Sequence, residues 1–257
     1  MRILCTYKNL VRRRKCVLFL PPMKSNARID WNQDKGLVLL IDPDFGGEKH
    51  WREMVQVAQN ALVKMIFVGG SFLHKSQLEQ CLAIMKESGL PVVLFPGSSQ
   101  QISNQADGML LLSLLSGRNP EFLIGQHVQA ARAIKQSGLE IWPTAYLLID
   151  GGKPTTVSYI SNTLPLPADK PLLVSATALA GELLGMQLVY LDAGSGANRP
   201  VTMDTIAAVR REVNVPIIVG GGIQSQSEIE QAWSAGANWV VIGNVLEQNP
   251  SFFADWI

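Results

Sequence analysis

The chain has 257 residues and a mass of 28.1 kDa, enough for one large domain around a single core. Hydrophobic residues make up 47% and charged residues 17%, below the usual charged share of about 25%, which excludes a disordered chain and points to strands buried on both faces. Lys and Arg number 22 against 21 Asp and Glu, so no global basic field gathers nucleic acid or an anionic membrane; anion recognition must be local and the substrate small.

Residues 1–34 read as an arm ahead of a single domain at 35–257. The basic run Arg12, Arg13, Arg14 and Lys15 precedes an apolar stretch at 16–20 that Pro21 and Pro22 close, too brief for a signal sequence. No run in the chain is long enough to span a membrane. The arm reads either as a mobile segment or as a basic patch for a membrane surface. Cys5, Cys16 and Cys81 are odd in number and lack paired metal-type spacing, which predicts structural or incidental thiols in a reducing cytoplasm.

From there strands and helices alternate. The apolar run 37–41 ends at Asp42, and Trp51, Met54, Val55 and Ala58 behind it fall at i, i+3, i+4 and i+7, one helical face. The run 65–68 leads through Ser71 to Leu78, Cys81, Leu82 and Met85 at the same spacing. The run 92–95 ends at Ser98, but only GSSQQISNQAD at 97–107 separates it from the next run at 109–112, too short and too polar for a full helix. Either a long apolar ligand lies in the resulting gap or a local turn fills it.

After Ser113, Asn119 as N-cap and Pro120 at the first helical position predict a helix with Leu123, His127, Ala130, Ala131 and Ile134 on one face. His127 in that stripe reads as a satisfied core histidine. Arg118 either fixes its loop or meets a phosphate. The runs 145–149, 188–191, 217–219 and 239–242 end at Asp150, Asp192, Gly221 and Asn244. Ser225 and Glu228 form a capping box ahead of Ile229, Ala232 and Trp233. Trp142, Trp233 and Trp239 are explained by packing.

Strand, turn and helix repeated in this way give an α/β barrel or an open doubly wound sheet, and eight strands favour a (β/α)8 TIM barrel whose helix between strands 3 and 4 is replaced by a loop. Three glycine-rich turns each follow a late strand: YLDAGSGA at 190–197, VGGGI at 219–223, and Gly243 with Asn244. Glycine lets several backbone N–H groups converge on an anion, so the three turns together predict one phosphate cradle at the C-terminal mouth.

With LIDPD at 40–44, VGGS at 68–71, LFPGS at 94–98 and SLLSGRNPEFLIGQHV at 113–128, these turns make an ordered set that resembles the geranylgeranylglyceryl phosphate synthase family over residues 36–244. The resemblance implies a prenyltransferase on a TIM barrel, joining a polyprenyl diphosphate to the free hydroxyl of sn-glycerol 1-phosphate. It assigns the glycerol phosphate to Tyr190, Leu191, Asp192, Ala193, Gly194, Ser195, Gly196, Gly221, Gly222, Gly243 and Asn244. It also implies Mg²⁺ held by Asp42 and Ser71, Asp192 as the acid that orients the hydroxyl and takes its proton, and a homo-oligomer, dimer or hexamer.

Mg²⁺ takes few protein oxygens when substrate phosphates and water supply the rest; without the resemblance Asp42 reads equally as a turn residue. Two positions depart from the family: Asp192 stands where Glu is usual, and Phe45 where Lys is usual. The competing readings are another phosphate-binding TIM-barrel enzyme, and a ligand-binding barrel with impaired catalysis.

Overall fold

Eight short apolar strands pair side by side, all parallel, and close on themselves. In this computed structural model, which describes residues 29–33, 35–75, 77–243, 245–246 and 252–253, they are β1 Gly36–Ile41, β2 Val63–Val68, β3 Val92–Leu94, β4 Gly108–Leu114, β5 Glu140–Leu148, β6 Leu188–Asp192, β7 Ile217–Gly220 and β8 Trp239–Ile242. The pairing of β1 with β8, from Gly36 against Trp239 to Leu39 against Ile242, shuts the barrel. The helices are α1 Gly47–Asn60, α2 Leu78–Met85, α3 Gln126–Ser137, α4 Thr156–Ser161, α5 Pro171–Leu183, α6 Met203–Glu212 and α7 Gln226–Ser234. Cys5, Cys16, the basic run at 12–15 and Asn244 lie outside the described residues. Among those described, no helix is long and apolar enough to cross a membrane.

Each strand is apolar on both sides because it feeds two cores. Side chains alternate along a strand, so Val38, Phe67, Tyr146, Tyr190 and Val241 fill the barrel while Leu37, Leu39, Leu147, Leu191 and Val240 face the helices. The outer core takes Trp51, Met54, Leu82 and Ile229 from the stripes that the spacing predicts, and Ile206 from α6. Trp31, which a boundary at 34 leaves with the arm, is buried at the N-terminal end of the barrel, edge-on to Trp142 at 5.1 Å and Trp239 at 5.6 Å. Glu228 and Ser225 exchange the two bonds of the expected capping box.

The third unit lacks its helix, as its sequence predicts. Turns and extended chain carry residues 95–107 from β3 to β4, and the buried side chain of Gln101 holds this loop to the one after β2. It donates to the Gly70 carbonyl at 2.9 Å and accepts from the Gly97 N–H at 3.2 Å.

The next unit starts where expected, with Asn119 accepting from the Glu121 N–H at 3.1 Å, but a π turn at Glu121–Gly125 precedes α3. The wider turn rotates the stripe, leaving Ala130 as the buried residue of α3, His127 and Ile134 half-buried and Ala131 exposed. With no neighbouring helix to cover it, α3 borders an apolar groove, partly open to solvent, walled by Phe95, Met109, Leu111, Phe122, Ala130 and Ile134.

Candidate functional site

Strand alternation decides which residues of YLDAGSGA face the mouth. In β6, Leu188, Tyr190 and Asp192 point into the barrel, whereas Leu191 and Ala193 point outward into the helix layer and are fully buried there. Leu191 and Ala193 therefore do not line the mouth. The register sets Tyr146 of β5 against Tyr190, and Leu148 against Asp192. From there the Tyr146 hydroxyl donates to Asp192 Oδ2 at 2.5 Å, while the Gly194 N–H donates to Asp192 Oδ1 at 2.7 Å.

Asp192 is 7% exposed. Burial pushes its carboxyl above the ordinary value of 3.8, against the pull of the bonds from Tyr146 and Gly194. Burial, then the charge of Asp192, pushes the Tyr146 phenol well above its ordinary value, so Tyr146 remains the donor of the pair. Tyr190 stacks on Phe95 at 5.1 Å and lies 5.5 Å from Tyr146, which makes an aromatic wall beside the acid.

The glycine turns close around this carboxylate. Gly194, Gly196, Gly221 and Gly222 all have left-handed φ, from +68° to +90°. A Cβ on Gly221 would stand 2.5 Å from both Asp192 Oδ1 and the Gly194 nitrogen, so only glycine lets the β7 turn lie against the acid. Ser195 and Gly196 are exposed to the mouth.

Across the mouth, Asp42 ends β1. Its Oδ1 accepts from the Asp44 N–H at 2.8 Å, and its Oδ2 faces Gly70, next to Ser71. Burial raises the Asp42 carboxyl, with repulsion from Asp44 adding and the Asp44 N–H, His74 and Lys75 opposing. Asp44 clips the loop after β1 to the loop after β2, accepting from the His74 and Lys75 backbone N–H groups at 2.6 and 3.1 Å while the Lys75 ammonium donates to the Asp44 carbonyl at 2.9 Å.

Among the described residues no group of three or more His, Cys, Asp or Glu is set to hold a metal. The Asp42 carboxylate and the Ser71 hydroxyl, both lining the mouth, are hard oxygen donors, suited to a cation whose shell substrate oxygens complete. Cys81 is buried and free, and burial together with Asp42 pushes its thiol up to about 12, an inert packing residue as its spacing suggests.

The mouth is a cavity open to solvent, and it brings together Asp42, Ser71, Tyr190, Asp192, Ser195, Gly196, Gly221, Gly222 and Gly243. Gly194 serves through its N–H to Asp192. Asn244 lies outside the described residues. Phe45 is half exposed at the rim, edge-on to His50 at 5.2 Å. Arg118 donates to the Leu115 and Gly117 carbonyls, the loop role, and His127 pairs with the Leu112 carbonyl at 2.8 Å.

Ser71, Phe95, Tyr146 and Val157 line both the mouth and the apolar groove, so the two are continuous. Sequence reading missed Tyr146, Lys153 and Gln101. The tyrosine sits in an apolar strand, where it reads as core, and the other two sit in polar loops, where they read as solvated.

Comparison with known proteins gives a consistent picture. A profile of the PcrB family matches residues 29–257. A geranylgeranylglyceryl phosphate synthase of Spirosoma linguale is 52% identical over 217 residues, which is 84% of this chain and 87% of the relative. One from Thermococcus gammatolerans is 41% identical over 212 residues, 82% of this chain and 83% of the relative. The crystal structure of (S)-3-O-geranylgeranylglyceryl phosphate synthase from Thermoplasma acidophilum in complex with its substrate sn-glycerol-1-phosphate superposes with a TM-score of 0.82 at 31% identity, covering 87% of this chain and 91% of that one.

Proposed function

The chain belongs to the PcrB family, and from that membership we propose how its mouth carries out prenyl transfer from a prenyl diphosphate to sn-glycerol 1-phosphate. The observation that carries the reading is the continuity of a phosphate-type glycine cradle and an apolar groove, with Asp192 in the cradle bonded to Tyr146, which lines both. The glycine turns at 194–196, 221–222 and 243 hold the acceptor phosphate through backbone N–H groups, which leaves its free hydroxyl near Asp192. The prenyl chain lies in the groove against Met109, Leu111 and Ile134, with its C1 beside Phe95 and Tyr146, where the groove meets the mouth, and Tyr190 on the mouth side.

The C1–O bond to diphosphate breaks, the acceptor oxygen bonds to C1, and Asp192 takes the hydroxyl proton. The aromatic faces favour positive charge developing at C1. Each Asp192 oxygen accepts one bond and so has a lone pair left for the hydroxyl, which supports turnover despite the shortened acid. Asp42 and Ser71 are the residues that would hold Mg²⁺, which when bound supplies charge neutralisation for the diphosphate. Holding both substrates in register supplies much of the acceleration.

A homo-oligomer formed through α5 completes the proposal, with the cytoplasm as its compartment. Leu172, Leu173, Ala176, Ala180, Leu183 and Leu184 lie exposed on one face of that helix. The test is a panel of prenyl diphosphates with sn-glycerol 1-phosphate, with and without Mg²⁺. Product requires both substrates and the metal, and no turnover across the panel would overturn the enzymatic reading.

A further inference from the structure

We propose that Lys153, on the loop after β5, is a phosphate-binding cation of the acceptor site; this rests on the glycerol phosphate reading above. Among the described residues lining the mouth, the charged side chains are Asp42, Asp192 and Lys153, two acids and one base. Both substrates are anions, so a site of this composition needs positive charge where the acceptor phosphate sits. Among the described residues no hydrogen bond or ion pair engages the Lys153 ammonium, which leaves its donors for a ligand.

The loop that carries Lys153 is built into the phosphate turn. The Gly151 carbonyl accepts from the N–H groups of Asn198 at 2.9 Å and Arg199 at 3.3 Å, and the Asn198 side chain donates to the Gly152 carbonyl at 3.2 Å. A Cβ on Gly151 would stand 2.5 Å from the Ala197 Cβ, so the two loops touch only because residue 151 is glycine. On the far side, Pro154 stiffens the chain and Thr155 caps α4. Pinned at both ends, the loop places the ammonium 3.6 Å from where a Gly196 side chain would begin, directly over the turn. Backbone N–H groups from below and a compact ammonium from above then share one phosphate.

The test pairs steady-state kinetics with binding in the full chain. Lys153→Met should raise KM for sn-glycerol 1-phosphate by about 10- to 100-fold, with KM for the prenyl diphosphate within about twofold and Tm unchanged; Lys153→Arg should recover most of the loss. An unchanged acceptor KM, a rise confined to the prenyl diphosphate, or an equal loss for both substrates with a lowered Tm would overturn the proposal. Calorimetric titration of sn-glycerol 1-phosphate into wild type and Lys153→Met separates this inference from the enzymatic reading, since binding needs no turnover. If wild type binds it but turns over no donor, the enzymatic reading fails while Lys153 stands or falls on whether the variant binds more weakly. If wild type does not bind it, both fall.

Discussion

Tyr146 and Asp192, neighbours on β5 and β6, share a 2.5 Å hydrogen bond in which the phenol donates, and this bond fixes the direction of the acid. Tyr146→Phe removes the donor and leaves Asp192 Oδ2 short of a partner in a buried site, at a cost of about 1–3 kcal/mol. The same bond lowers the acid's pKa, so its loss moves the carboxyl further up. We expect kcat to fall about 10- to 100-fold, and the acid limb of the pH–rate profile to shift to higher pH. The pH dependence of kcat/KM for the acceptor checks this, and an unshifted acid limb would assign the tyrosine to packing alone.

Asp192 also leaves a signature in stability. Its carboxyl is raised in the folded protein, so between the ordinary value of 3.8 and the raised one the folded state binds more protons than the unfolded chain. Stability from this residue is fully present below 3.8 and is lost as pH rises through the folded value. Asp192→Asn cannot lose it. The Tm of the variant minus that of wild type should therefore increase from pH 4 to pH 8, while kcat falls by roughly 1000-fold with the loss of the base. A flat difference in Tm across that range would show that burial does not raise the acid.

How much of this site was legible in the sequence follows from what each feature depends on. The strands, the missing helix and the glycine turns depend on local spacing and composition, which residues such as Leu37, Gly97 and Gly221 carry by themselves. The Tyr146 to Asp192 bond depends on the register between β5 and β6, which no local pattern encodes. Leu191 and Ala193 resemble their neighbours in a motif, yet a period of two sends them into the helix layer. Pro143 hid the first half of β5, since proline argues against a strand; here its carbonyl still accepts from the Gln187 N–H at 2.8 Å. The π turn before α3 is likewise invisible to a count of 3.6, and it moves Ala131 from the expected inner face to solvent.

Because β4 and α3 run in opposite directions, the groove has a near end at Ser71 and Tyr146 and a far end at Met109 and Ile134. A bulky residue at the far end should shorten the donor that fits while leaving the chemistry untouched. Ile134→Trp is expected to lower kcat/KM for geranylgeranyl diphosphate at least about tenfold, to spare geranyl diphosphate, and to leave the acceptor KM within about twofold. Competition between the two donors in one reaction reads this ratio directly. Equal losses for both would place the prenyl chain elsewhere.

The uncovered face of α5 makes a separate claim on assembly. Leu172, Leu183 and Leu184 are 77%, 80% and 71% exposed, on a helix whose other face packs on α6 and the barrel. An apolar stripe of this kind in water favours association, and a charge placed at each end of it opposes it, because a carboxylate without a partner resists burial in an interface. Leu172→Glu combined with Leu183→Glu should reduce the mass measured by light scattering to that of one chain and remove the dependence of Tm on protein concentration. Every residue proposed for the site comes from a single chain, so the separated protomer should keep kcat/KM within about threefold at temperatures where it stays folded. A variant that retains the larger mass would move the interface to another face. One that becomes monomeric and inactive while folded would mean that the partner contributes to the site.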